Sequence, residues 1–140
     1  MKKSTLVSNS PRATRALGSK VAKSILKLPV GKHAVVVSLE GDLGSGKTTF
    51  SQGFARGLGV KERVSSPTFV IMKPYKLKTK NYKLFYHIDC YRLKSPKELL
   101  ELHWKDIVKN PRAIALVEWG NRVQHLLPRD AFHIRFKHAI

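Results

Sequence analysis

The order of apolar and polar positions along the chain separates helix-like from strand-like stretches. Leu17, Val21 and Ile25 recur every four residues behind Ser10-Pro11, which predicts a helix over Pro11–Leu26 with Ser10 as its cap and Pro11 in its first turn. Pro29 and Gly31 close that pattern. Residues 34–39 are an almost unbroken, β-branched apolar run, the signature of a strand buried on both faces. A glycine-rich turn at 41–46 then leads into a second helix, 47–58, with Gly57 and Gly59 as stop signals.

Further along, residues 64–71 read as extended around Pro67, and residues 74–82 as a loop carrying Lys76, Lys78 and Lys80. Leu84–Asp89 is a strand pattern. Ser95-Pro-Lys-Glu98 has the spacing of a capping box and opens a helix expected to continue through Leu99, Leu100 and Leu102 to 108, before Asn110-Pro111 breaks it. An apolar run at 113–117 ends on Glu118, and Phe132–Phe136 alternates like a final strand. Strands alternating with helices imply an α/β layer structure with a largely parallel sheet. With no internal repeat and no linker, residues 1–140 are expected to form a single domain.

Composition changes this picture in one respect. A hydrophobic share of 42% is ordinary for a chain that buries one core, and a lone cysteine, Cys90, excludes an internal disulfide. The lone cysteine suits a reducing cytoplasm, and the apolar run at 34–39 is far shorter than the roughly 20 residues of a membrane span, so no membrane helix is expected. The charge is unusual: 27 Lys and Arg against nine Asp and Glu give +18, a balance that favours polyanionic partners. Residues 1–39 hold eight of those bases and no acid. Such a start resembles an organelle transit peptide, but its helical period and cap favour retention as part of the domain.

The chemistry starts at Gly41-Asp-Leu-Gly-Ser-Gly-Lys47-Thr48, a full match to the phosphate-loop pattern G-x-x-x-x-G-K-[ST]. Its glycines let backbone N–H groups wrap a phosphate, and the following helix N-terminus favours an anion. Lys47 would reach the β and γ phosphates and the Thr48 hydroxyl would ligate Mg²⁺. The ligand expected is a nucleoside triphosphate, ATP with Mg²⁺. No Asn-Lys-x-Asp stretch exists to read guanine. Two acids close strand patterns beside the loop: Glu118, in the position of a Walker B acid, and Asp89. Ser65-Ser66-Pro67-Thr68 supplies hydroxyls where a switch segment could sense the γ-phosphate. Trp119 could stack on a base, and His87 reads as a packed strand histidine more than as half of a metal pair with Asp89.

These pieces fall into one pattern. The loop at 41–50, Ser66-Pro-Thr-Phe69, His87-Ile-Asp-Cys-Tyr-Arg92 and Leu116-Val-Glu-Trp119, with Thr14-Arg-Ala-Leu-Gly18 before and Leu127-Pro128 after, closely resemble the TsaE family of small bacterial ATPases. The resemblance implies a three-layer α/β/α fold of the P-loop NTPase kind. It further implies ATP hydrolysis in support of the TsaD–TsaB transferase complex, which forms threonylcarbamoyladenosine next to the anticodon of ANN-decoding tRNAs, with tRNA reached through that complex. Carried over by motif, Thr14, Leu43, Gly44, Ser45, Gly46, Lys47, Thr48, Asp89 and Trp119 would line the ATP site. Thr48 and Glu118 would engage Mg²⁺, and Lys47, Asp89, Glu118 and Thr68 would carry the chemistry. Members of the family usually continue past the last strand with a glycine-arginine element; if that arginine contacts phosphate in relatives, its job is missing here or is done by Arg92 or Arg122. A small-molecule kinase and a nucleotide-gated RNA-binding adaptor are the competing readings of the same loop.

Overall fold

A computed structural model describes residues 5–41, 44, 46–64 and 71–138. Its centre is a five-stranded sheet in the order β2-β3-β4-β1-β5, built from β1 (Val35–Gly41), β2 (Met72–Lys76), β3 (Leu84–Asp89), β4 (Ala113–Glu118) and β5 (Phe132–Phe136). β3, β4, β1 and β5 run parallel, and β2 joins the edge antiparallel to β3. The helices are α1 (Pro11–Leu26), α2 (Lys47–Gly57), and the short α3 (Lys97–Leu100) and α4 (Trp104–Lys109), followed by a 3-10 segment at Gly120–Leu126. This is the expected three-layer α/β/α arrangement around a mostly parallel sheet. Among the described residues no helix is long and apolar enough to cross a membrane.

Alternation along β1 and β4 assigns the two cores. Val37, Leu39, Ile114 and Leu116 face α1 and α2, where they meet Ala22, Phe50, Phe54 and Leu58. Val36, Ala115 and Val117 face the opposite layer and pack with Leu99, Trp104, Ile107 and Val123. Trp104 is buried to its ring nitrogen, which donates to the Leu126 carbonyl at 2.9 Å. α1 starts as its sequence dictates: Ser10 Oγ accepts from the Ala13 amide at 3.1 Å and Pro11 follows it.

Two expectations are corrected. Residues 74–82 are not wholly a loop, because β2 occupies Met72–Lys76. Only Tyr75 of Lys73–Lys76 is buried, and an edge strand tolerates both the exposed lysines and Pro74, whose missing N–H faces no partner strand. The helix expected from 95 to 108 is split, with His103 in a left-handed conformation (φ 62°) between α3 and α4. A continuous helix would set Leu99 and Trp104 about 140° apart; the break lets both enter the same core. The Ser95/Glu98 signal survives at the start of α3, where the Glu98 carboxylate accepts from the Lys94 amide at 2.7 Å and the Ser95 amide at 3.4 Å.

α1 lies against α2 at backbone distance. A Cβ built on Gly53 would collide with the Arg15 carbonyl, and one on Gly18 with the Phe50 carbonyl, so small residues at both positions set the helix spacing. Replacing Gly53 by Val is expected to destabilise the protein by about 1–3 kcal/mol, as overpacking does. Gly31→Ala, where nothing stands within 4 Å of the new methyl, is expected to change stability by less than about 0.5 kcal/mol. Urea midpoints of the two variants check the contrast.

Candidate nucleotide site

The carboxyl ends of β1, β3 and β4 meet the start of α2. β1 delivers Gly41, and α2 begins at Lys47 behind Gly46, which adopts φ 104° as the helix cap. A side chain is strained at that φ, which leaves the first amides of α2 open toward an anion. Thr14 of α1 is the neighbour on the other side, its methyl 3.6 Å from where a Gly46 Cβ would stand. Its hydroxyl is bonded to Ser8 Oγ at 2.6 Å. Lys47 is 5% exposed; its ammonium donates to the Gly41 carbonyl at 2.8 Å and lies 4.1 Å from the centre of the Trp119 ring. Leu43, Ser45 and Thr68 lie outside the described residues.

The strand ends bring the two expected acids side by side, because Asp89 and Glu118 are register partners on β3 and β4. Glu118 is 2% exposed and fully engaged. Oε2 accepts from His87 Nε2 at 2.5 Å and from Ser51 Oγ at 3.2 Å, while Oε1 faces Thr48 Oγ1 at 3.4 Å. His87 is thus a buried strand histidine committed to Glu118, and its Nδ1 has no hydrogen-bond partner among the described residues. Asp89 accepts from the Tyr91 amide at 2.9 Å. Burial raises its carboxyl above the ordinary value of 3.8, with the neighbouring Glu118 adding to the rise; the Tyr91 amide, His87 and Lys47 oppose it. Burial likewise pushes the Cys90 thiol up to about 12, which removes it as a nucleophile.

A cavity of about 270 Å³ gathers Gly44, Gly46, Lys47, Thr48, Asp89, Glu118 and Trp119 on its wall, together with Thr49 and Tyr91. Trp119 also borders a second cavity of about 520 Å³ reached by Glu40, Asn121, Arg135 and Phe136. Of the two arginines considered for a phosphate contact, Arg122 stacks over Tyr91 (5.4 Å) and Trp119 (6.0 Å) at the edge of the first cavity. Sequence reasoning overlooked Ser51, Tyr91 and Asn121. Ser51 had a signal: it follows Lys47 by one helical turn, which puts it on the face that α2 turns toward the strand ends. Oxygen donors from Thr48 and Glu118 on one wall suit a hard divalent cation, which takes one or two protein oxygens and completes its shell with phosphate and water.

The raised Asp89 carboxyl has a consequence for stability. Its ionised form is disfavoured in the fold, so between pH 3.8 and its raised native value the folded state binds more protons, and stability falls as pH rises through that window. Asp89→Asn keeps an acceptor for the Tyr91 amide without the charge. In nucleotide-free protein it is expected to raise Tm at pH 7 to 8, with the gain vanishing as pH falls toward 4. Thermal melts of both proteins across that range measure it; an equal gain at every pH would contradict the electrostatic origin.

A family model described as threonylcarbamoyl adenosine biosynthesis protein TsaE matches residues 8–140. The tRNA threonylcarbamoyladenosine biosynthesis protein TsaE of Bacillus subtilis is 39% identical over 127 residues, which are 89% of this chain and 77% of that protein. Its counterpart in Haemophilus influenzae is 40% identical over 111 residues, covering 79% of this chain and 67% of the relative. Among solved structures, that of Bacillus subtilis YdiB matches with a TM-score of 0.70 at 32% identity, over 94% of this chain and 74% of that one. With the phosphate loop and the two strand-end acids in one cavity, and with relatives of this identity along most of its length, the chain belongs to the TsaE family of tRNA threonylcarbamoyladenosine biosynthesis.

Proposed function

We propose that this protein binds ATP with Mg²⁺ and hydrolyses it to ADP and phosphate in support of the TsaD–TsaB complex during threonylcarbamoyladenosine formation on ANN-decoding tRNAs, in the cytoplasm. The observation that carries the reading is the convergence of Lys47, Thr48, Asp89 and Glu118 on one cavity at the start of α2. A bound Mg²⁺ would neutralise charge on the phosphates. Every other part of the mechanism falls to the chain itself. Lys47 and the first amides of α2 hold the phosphate oxygens, and Trp119 keeps the Lys47 ammonium over its ring face. Thr48 and Glu118 Oε1 are the oxygens for the metal or its waters. His87 and Ser51 fix the other oxygen of Glu118, so the carboxylate cannot rotate away.

Asp89, adjacent to Glu118 and raised in pKa, orients the attacking water and accepts its proton. Thr68 is assigned to sensing the γ-phosphate. The nucleoside extends past Trp119 toward the larger cavity, where Asn121 offers both a donor and an acceptor to a base edge. The site is open, and turnover by the protein alone should be slow if a partner completes it.

Phosphate release from Mg-ATP, with and without TsaD–TsaB, tests this for the wild type, Lys47→Ala and Glu118→Gln. Release is expected to rise with the partners and to fall by about a hundredfold or more in either variant, the scale for loss of a group that stabilises developing charge. ATP binding without release under any condition would refute hydrolysis. Rapid release by the pure protein alone would refute the dependence on partners.

A further inference from the structure

The parallel strands start together at the rim opposite the nucleotide site, and the fold collects bases there. Lys76 pairs with Leu84, Leu84 with Ala113, and Ile114 with Val35, so β2, β3, β4 and β1 reach one edge in step. Lys83 and Arg112 flank that edge: the Lys83 amide donates to the Arg112 carbonyl at 2.8 Å, and Arg112 Nη1 to the Asn81 carbonyl at 3.0 Å. The turn between β2 and β3 adds Lys78 and Lys80. Tyr82 ties this turn to the end of α1, its hydroxyl donating to the Leu28 carbonyl at 3.1 Å, which brings Lys27 to the same rim.

These contacts join two stretches of sequence that contain no Asp or Glu, residues 1–39 and 63–88. Lys27, Lys76, Lys78, Lys80, Lys83 and Arg112 are all exposed, and none forms an ion pair with a carboxylate among the described residues. Glu40, Asp89 and Glu118 sit at the opposite strand termini, about 20 Å away, and at the strand starts Asp130 pairs with His33 at 3.0 Å, beside β1.

We propose that this lysine rim is a docking surface for the phosphate backbone of RNA, which lets the protein contact tRNA directly while its opposite end holds the nucleotide. The identification of the RNA as tRNA rests on the function proposed above; the surface itself does not. Membership of a family of tRNA threonylcarbamoyladenosine biosynthesis favours RNA over an acidic protein as the polyanion. Five of the six cations are lysines, flexible point charges that can meet backbone phosphates without demanding one bidentate geometry. The nearby aromatic rings, Tyr75, Tyr82 and Phe85, are buried and cannot stack on bases, so the surface would contact backbone without reading sequence.

The test is fluorescence anisotropy of a labelled tRNA transcript titrated with the full chain, without nucleotide, from about 50 to 200 mM salt. A rim variant, Lys76→Gln/Lys78→Gln/Lys80→Gln, is compared with Lys94→Gln/Lys97→Gln/Lys105→Gln, which removes the same charge from exposed positions around α3 and α4. The rim variant is expected to bind at least tenfold more weakly. Its slope of log affinity against log salt should be smaller by about 2, since each lost phosphate contact removes roughly 0.7–0.9. The control variant should stay within about threefold of wild type. Equal losses in both variants would reduce the effect to net charge and overturn the proposal, as would an unchanged rim variant. Tighter binding to poly-glutamate or to phosphatidylserine vesicles than to tRNA at equal salt would also overturn it. Mg-ATP hydrolysis with TsaD–TsaB, measured on the same preparations, separates the two readings: its failure with the rim effect intact removes the ATPase function alone, and a normal ATPase without a rim effect removes the RNA surface alone.

Discussion

The buried carboxylate of Glu118 is the constraint from which the rest of the site follows. An anion at 2% exposure is costly unless surrounding donors replace water. Here they come from two elements outside its own strand: His87 on β3, and Thr48 and Ser51 on α2. The pairing of β3 with β4 must therefore be in register, because a slip of one residue would turn His87 to the other face of the sheet. The rotation of α2 on the sheet must also be right, since only one helical face carries Thr48 and Ser51. That rotation is fixed from behind by α1, whose backbone closes on Gly53 and Gly57 of α2. The same contact brings Thr14 to Gly46, so a helix that packs on the outside of the layer also shapes the entrance to the phosphate loop.

What could be read from the sequence follows from how local each determinant is. The limits of α1 were legible because cap, first-turn proline and four-residue period all lie within one stretch of chain. The phosphate loop and Glu118 were legible because their chemistry requires glycines in a turn and an acid at the end of an apolar strand. β2 was not, because its only buried side chain is Tyr75 and its existence depends on pairing with β3. The break at His103 was hidden for a related reason: local propensity favours one helix, and only the shared burial of Leu99 and Trp104 opposes it. The position of Glu118 at a strand end beside the start of α2 was expected, but the clamp that immobilises it was not. His87 looked like a packed histidine because nothing in a sequence says which carboxylate a buried imidazole meets.

The electrostatics of the nucleotide end work against a bare triphosphate. Glu40, Asp89 and Glu118 all stand near the strand termini; Glu40 pairs with His133 at 2.9 Å and Arg135 at 3.7 Å, and Glu118 with His87. A highly charged anion entering beside Asp89 and Glu118 needs cations in excess of Lys47 and the partial charge of the α2 N-terminus. This favours a nucleotide that arrives with its metal over a free one. The oxygen pair of Thr48 and Glu118 lies where such a metal would be welcome.

Trp119 is where these forces meet. Its backbone is left-handed (φ 60°), a conformation that costs a bulky residue about 1–3 kcal/mol and persists only when its surroundings enforce it. The enforcement is visible on every side. Its amide donates to the Leu39 carbonyl at 2.8 Å, Gly120 behind it fits against Ser38 with no room for a side chain, and its ring is held between the Lys47 ammonium and Tyr91, 4.9 Å away. An ordinary extended residue after Glu118 would continue along the strand; this turn instead swings the indole across the mouth of the phosphate cavity, where it borders both cavities at once. The strain therefore purchases position. In the function proposed above, that aromatic wall would separate the phosphates from the nucleoside and keep the Lys47 ammonium aligned beside them.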